Sequence, residues 1–404
     1  MTLDSPAQIS CSYNHLDRRE QIMGKTLRSR ARWLVLLAAV TAFGLFSVAC
    51  GGDKEDSTAS PAAGAAAASG KKVTTIGFLY VGAVDDGGYN QAAYQGQLAV
   101  EKLPDVKVIK AENVPESAEA ERVMEQMIQQ GATIIFPTSF GHLDPAIKVG
   151  EKYPNVTFLH QGGLRTAKNV GTYFGASWEA NYLAGIAAGK ATKTGKLGYV
   201  VAFPISQTLL NINAFQLGAK SVTPAATTTV VFTANWCDPA KISESVKNLK
   251  DQGVDVLNQH QDCPGAGIQA AEKASMFSVG YHVDNSKLAP NGWLTAATWD
   301  WTKLFVTLVG QVREGTYKVG QIRQSMGDGT VKLAPFGKAV PKDVQDQIVA
   351  TQAKLLSGQT QIFAGPIKDQ SGKERIKAGE KQPEVTSLEQ MDYLVEGVVG
   401  KIPQ

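Results

Sequence analysis

Histidine, cysteine and unbalanced charge are all scarce in this chain, and each scarcity removes a class of function. Cysteine occurs four times and histidine five times in 404 residues. No Cys/His spacing resembles a structural zinc site. His142, His160, His260 and His282 are scattered singly and read as structural rather than catalytic. A net charge of +3 gives no basis for binding nucleic acid or an acidic surface. There is no GxxxxGK[ST] run for ATP, no G-x-S-x-G elbow, no Asp-rich metal cluster and no Cys/His nucleophile signature. The expectation is a protein without catalytic residues, metal or cofactor, hence not an enzyme.

Long apolar runs are also lacking, with one exception. Residues 34–50 (LVLLAAVTAFGLFSVAC) follow Arg28, Arg30 and Arg32 and are too short to span a bilayer comfortably. A basic start, an apolar middle and small residues Ser47 and Ala49 near the end make an export signal. Its last residue is Cys50, and a diacylglycerol thioether there would supply the two acyl chains that stable anchoring requires. Ser47 stands where a leucine is commoner in such signals. The residues before Met23 have no place in an export signal, so either Met23 is the true start or the leading residues are unstructured, and in both cases 1–49 are expected outside the mature fold. Residues 51–70 (GGDKEDSTASPAAGAAAASG) hold no large apolar side chain and read as a flexible tether with a coil dimension of about 25 Å. The expected organisation is 1–49 export signal, 50–72 lipidated cysteine and tether, 73–365 a two-lobed solute-binding region, and 366–404 a C-terminal extension with no assigned role.

From residue 74 onward, β-branched runs alternate with amphipathic stretches. Residues 74–80, 106–110, 133–136, 156–159, 198–202, 229–232, 254–257 and 277–281 read as strands. Residues 116–130 place Ala120, Val123, Met124, Met127 and Ile128 on one helical face. Asp238–Pro239 is a helix start with a capping carboxylate followed by proline in the first turn, and Gly253 fits a left-handed stop. Asp144–Pro145 carries the same start signal. Alternation of this kind points to parallel α/β layers.

The pattern also repeats. Residues 75–99 resemble 196–220, and 121–136 resemble 243–257, in the same order and about 120 residues apart. Two lobes of one wound α/β topology are expected, facing each other so that the loops at the carboxyl ends of their strands surround a cleft.

Eight short segments, read in order, then resemble a known family: 77–88 (GFLYVGAVDDGG), 113–127 (NVPESAEAERVMEQM), 138–141 (TSFG), 175–190 (GASWEANYLAGIAAGK), 202–222 (AFPISQTLLNINAFQLGAKSV), 235–241 (NWCDPAK), 258–264 (NQHQDCP) and 280–284 (GYHVD). The chain resembles the basic membrane protein family of lipoproteins, the substrate-binding components of bacterial ABC importers. Within it, the chain looks like the branch associated with purine bases such as adenine. The resemblance implies a two-lobed periplasmic-binding-protein fold of type I, each lobe a parallel sheet flanked by helices. It also implies a purine-type ligand, a base or nucleoside, and as partners an ABC permease and its ATPase. The protein is expected as a monomer, lipid-anchored on the extracytoplasmic face of the cell membrane. Three departures bear on the ligand: Tyr89 replaces an expected Trp, Ala93–Tyr94 replaces a His-Asp pair, and Gln261–Asp262–Cys263–Pro264 replaces Thr-Asp-Ser-Pro.

A purine needs flat faces for stacking and hydrogen-bond partners in its plane. Aromatic candidates at or beyond strand ends are Tyr89, Phe140, Trp178, Phe203, Trp236 and the pair Trp299/Trp301. Phe140 and Phe203, one from each lobe, could sandwich a ring. The polar candidates are Asp86, Ser139, Gln259, Asp262 and Asp284, with Asp262 and Asp284 preferred as base readers. For each there is a plainer reading: an aromatic at a strand end packs, Asp86 makes a turn beside Gly87–Gly88, and Asp284 caps a helix. Cys237 and Cys263 fall just beyond strands that flank one helix, a placement compatible with a disulfide if their directions suit. Two alternatives stay open: an extracytoplasmic nucleoside-processing enzyme, and a ligand-sensing receptor not coupled to transport.

Overall fold

A computed structural model describes residues 73–403. The export signal, the Met23 start, Cys50 and the tether lie outside the described residues.

Strands and helices alternate because short, nearly fully apolar runs are separated by amphipathic ones. The first lobe takes β1 (Thr74–Leu79), α1 (Tyr89–Val100), β2 (Val106–Ala111), α2 (Ala118–Gln129), β3 (Ala132–Pro137), α3 (Leu143–Lys152), β4 (Thr157–Gln161) and β5 (Val170–Gly175). After α4 (Ser177–Ala191) the second lobe repeats the plan with β6 (Lys196–Val201), α5 (Ser206–Val222), β7 (Thr227–Phe232), α6 (Pro239–Asp251), β8 (Val256–His260), α7 (Gly265–Lys273), β9 (Phe277–His282) and β10 (Trp293–Trp299). The central strands are buried on both faces, as parallel sheets covered by helices must be.

Both sheets run in the same order. The first reads β2-β1-β3-β4-β5 and the second β7-β6-β8-β9-β10, each pair parallel. The internal repeat therefore corresponds to two copies of one doubly wound unit, and the fold is the two-lobed α/β arrangement expected from the sequence.

The chain crosses between lobes three times. It leaves the first sheet at 175–177, and returns at 299–302 into α8 (Thr302–Arg313), which packs on α1 where Gly96 faces the Phe305 ring. Next, β11 (Gln321–Gln324) adds in parallel to β5, and β12 (Val331–Leu333) pairs antiparallel with β10 in the other lobe. Three short crossings are the ingredients of a hinge. In the second lobe α4 and α5 pack closely: a β-carbon on Gly218 would lie 2.0 Å from the Tyr182 carbonyl oxygen. Helix α9 (Lys342–Leu356) covers α4.

The segment set apart as 366–404 is woven into this frame through residue 403. It contains the small pair β13 (Ile367–Lys368) and β14 (Glu374–Ile376), the short α10 (Val385–Leu388), and β15 (Val398–Val399), which extends the second sheet beside β7. Asn213 of α5 bonds the Tyr393 carbonyl and the Val395 N–H. Glu389 forms a buried ion pair with Arg323 of β11, so the segment touches both lobes.

One start signal is misplaced. Asp144 lies inside α3, whose N-cap is His142, whereas Asp238 caps α6 by accepting from the Lys241 N–H at 3.0 Å.

Candidate functional site

In a sheet of this order the strand sequence reverses beside the first strand, and a crevice opens outside the carboxyl ends of the first and third strands. In the first lobe that places the loops after β1 and β3; in the second, those after β6 and β8. The four loops meet between the lobes. They enclose a small cavity of about 20 Å³ lined by Tyr89, Ser139, Phe140 and Phe174 from one lobe and Ile205, Gln207, Trp236, His260 and Asp262 from the other. In this closed form that is room for about one water molecule. A groove at its mouth shares Trp236 and Asp262 and adds Asp86, Asn90, Asn113, Glu116, Phe203 and Asn235; no Lys, Arg or His lines it.

The lobes are closed on each other. The Tyr89 N–H donates to the Asp262 carbonyl at 3.0 Å, the Asn285 amide to the Gly87 carbonyl at 3.1 Å, and the Gln207 amide to the Gly162 carbonyl at 2.7 Å. The Trp236 indole N–H donates to the Glu116 carboxylate at 3.2 Å.

Asp262 is the polar centre of the cavity. It is 5% exposed, and its carboxyl group accepts no hydrogen bond among the described residues. Burial first, then the Asp86 and Glu116 carboxylates, push its pKa well above 3.8. A carboxyl group held toward its neutral form can donate as well as accept. Its loop is fixed at both ends: the Asp262 N–H donates to the Trp236 carbonyl at 2.7 Å, and Cys237 and Cys263 are joined by a disulfide.

Tyr89 begins α1, and its hydroxyl donates to the Thr138 carbonyl at 2.7 Å. Its ring meets that of His282 edge-on at 5.2 Å. Burial first, then the Asp262 carboxylate, keep its phenol protonated. Ser139 donates to Glu116 at 2.6 Å, and Phe140 starts the turn that follows it. Trp236 lines the same cavity from the second lobe. Phe203 packs edge-on against Trp236 at 5.1 Å and lines the groove, so of the two rings expected to sandwich a ligand only Phe140 lines the cavity, with Tyr89, Phe174 and Trp236.

Six expected residues take other roles. The Asp86 carboxylate accepts from the N–H groups of Gly88, Asn90 and Gln91 and from the Asn90 amide, which makes it the cap of α1 at the groove edge. Gln259 lies within β8 rather than in a loop; its amide donates to the Pro264 carbonyl and its oxygen faces Gly267 of α7, away from the cavity. Asp284 is exposed and accepts from the Ser286 N–H, ending a short turn. Trp178 is buried in the core at the start of α4, as are Trp299 and Trp301, whose rings stack at 4.8 Å.

Of the histidines read as structural, His260 lines the cavity and His282 packs behind it. His260 occupies the cavity-facing phase of β8, one residue after Gln259. Burial lowers its pKa to about 3, so the ring is neutral. Its Nδ1 accepts from the Asn211 amide at 3.2 Å, which leaves the proton on Nε2. His282 ends β9 with φ of 75°, a left-handed conformation uncommon outside glycine. Its Nδ1 accepts from the Trp299 indole at 3.0 Å and its Nε2 is buried without a partner. Burial first, then His260, hold it well below 6.5. Strand phase alone could have pointed to His260. Nothing local marks Glu116, Phe174 or Gln207, which reach the site only when the lobes meet.

Two lobes of one α/β plan closed on a cleft with aromatic and polar walls are the architecture of solute-binding proteins. More narrowly, this chain belongs to the PnrA-like family of ABC transporter substrate-binding proteins, whose family model matches residues 73–370. It is 39% identical to a purine-binding protein of Brucella abortus over 84% of this chain and 96% of that protein. It is 33% identical to a protein of Haloferax volcanii, named as a candidate ABC transporter glucose-binding protein, over 81% of this chain and 80% of that one. Among solved structures, an ABC transporter solute-binding protein of Aeropyrum pernix superposes with a TM-score of 0.63 at 18% identity, covering 73% of this chain and 93% of that one. This shows the shared fold.

Proposed function

We propose that this chain captures a purine-type ligand, an adenine-like base or its nucleoside, between its lobes and delivers it to an ABC permease. The observation that carries the reading is the Asp262 carboxyl group, which accepts no hydrogen bond among the described residues and lines one cavity with Phe140 and Trp236. A flat ring at the cavity wall would give stacking worth about 1–3 kcal/mol per base. A carboxyl group and the neutral His260 ring supply donors and acceptors, and leaving such groups unmatched disfavours the wrong ligand. The Brucella relative, named for purine binding, supports the same choice.

Closure against both lobes is what would let a ligand select the closed form. The reading is of a binding protein, without turnover. It also places the protein outside the membrane, held through a lipid on Cys50 by the tether 51–72. In the described residues no helix is long and apolar enough to cross a membrane. Labelled palmitate incorporated by the wild type and lost in Cys50→Ala tests the anchor.

The ligand is tested by calorimetry with adenine, guanine, adenosine and glucose. Heat with purines and none with glucose supports the proposal. The Haloferax relative makes glucose the informative control, and heat with glucose alone overturns it. Unchanged adenosine recovered after incubation separates binding from hydrolysis.

A further inference from the structure

Glu116 stands in the loop between β2 and α2, on the first lobe, and gathers three donors on one carboxylate. Its Oε1 accepts from the Ser139 hydroxyl at 2.6 Å and from the Gly141 N–H at 2.7 Å. Its Oε2 accepts from the Trp236 indole N–H of the second lobe at 3.2 Å. Ser139 and Gly141 are the two neighbours of Phe140, so one carboxylate grips the loop that carries one aromatic lining residue and the ring of another. Gly141 allows the approach: a β-carbon there would lie 2.6 Å from the Glu116 carboxyl carbon.

The remaining bonds that join the lobes beside the cavity end on neutral backbone carbonyls, those of Asp262, Gly87 and Gly162. The Glu116–Trp236 bond has an anionic acceptor, and charge-assisted hydrogen bonds are about twice as strong as neutral ones. No cation pairs with Glu116 among the described residues, so its charge is answered by these donors.

We infer that Glu116 is the latch of the closed form: a positioning residue that does not read the ligand but sets the spacing of the Phe140 and Trp236 faces and slows their separation. The inference rests on the reading that the lobes close around a purine. It goes further in assigning the hold on that ligand to a residue outside the cavity lining.

A latch acts on release more than on entry, because it forms only once the lobes have met. Adenine is the probe, and wild type, Glu116→Ala, Glu116→Gln and Trp236→Phe are compared by stopped-flow binding. Glu116→Ala and Trp236→Phe are expected to release adenine about ten- to a hundredfold faster, the range for losing a hydrogen bond to a charged group. Association rates are expected to stay within about threefold. Glu116→Gln keeps one acceptor oxygen and is expected to fall between them. The double variant Glu116→Ala/Trp236→Phe is expected to be less than multiplicative, since both remove one bond. Small-angle scattering without ligand is expected to give a larger radius of gyration for Glu116→Ala than for wild type.

Wild-type release rates in both Glu116 variants, with melting curves intact, overturn the latch and leave the purine reading standing. Absence of adenine binding by the wild type overturns the purine reading instead. The latch is then judged by scattering alone, where equal radii for wild type and Glu116→Ala reject it.

Discussion

The Tyr89 N–H and the Asp262 carbonyl meet at 3.0 Å across the cleft, and that contact depends on the residue between them having no side chain. A β-carbon on Gly88 would lie 1.9 Å from the Asp262 carbonyl oxygen and 2.5 Å from the Pro264 ring. In the open form nothing from the second lobe would need to be there. Gly88→Ala is therefore expected to oppose closure more than folding. Adenine affinity measured by calorimetry should fall about tenfold or more, the scale of an overpacked contact, while the melting temperature moves little.

The Cys237–Cys263 bridge ties together the loops that carry Trp236 and Asp262. With its ends separated by 26 positions in sequence, loop-closure entropy assigns it about 3.5 kcal/mol of stability. Cys237→Ser/Cys263→Ser should lower the denaturant midpoint accordingly and weaken adenine binding, because Trp236 and Asp262 are no longer held side by side. Alkylation followed by intact mass, with and without prior reduction, checks that the bridge is present in the starting material.

Burial of Asp262 has a price in stability that can be measured. Its folded pKa lies above the ordinary 3.8, so between those values the folded protein keeps a proton that the unfolded chain has released. The folded form binds more protons, and stability contributed by this group is lost as pH rises through the window. Asp262→Asn removes that loss. Relative to wild type, its melting temperature should rise as pH increases above about 4, while adenine binding weakens.

The histidines act in the opposite sense. His160 and His260 are lowered from 6.5 to about 3 by burial, and burial also holds His282 well below 6.5. Their neutral forms favour the folded state above 6.5, and that contribution is lost as pH falls toward about 3. The wild type should lose thermal stability across this range, and His260→Gln should lose less of it. Parallel slopes for the two proteins in melting experiments would contradict the assignment.

What could be read from the sequence was local or repetitive. Asp238, Pro239 and Gly253 mark the ends of α6 because capping needs only neighbouring residues, and Gly253 has the left-handed φ of 84° expected of a helix stop. The repeat foretold two sheets of one strand order, since each copy carries its own alternation. Strands β5 and β10 escaped notice because glycine, alanine and aromatics are mixed along segments buried nearly throughout. The apolar run ends at 257, three residues short of the end of β8 at His260, so Gln259 reads as a loop residue, and a strand's two faces differ by one position. Asp284 and Asp86 carry the right chemistry but spend it on nearby N–H groups. Glu116 and Gln207 depend on the meeting of two lobes, which no local pattern records.

Calorimetry on wild type and Asp262→Asn, titrated in parallel with adenine, adenosine and glucose, examines most directly whether the cavity is built for a purine around Asp262. The expected result is saturable heat with adenine or adenosine, none with glucose, and at least about tenfold weaker binding in the variant. Equal affinities in the two proteins, or heat with glucose alone, would contradict it.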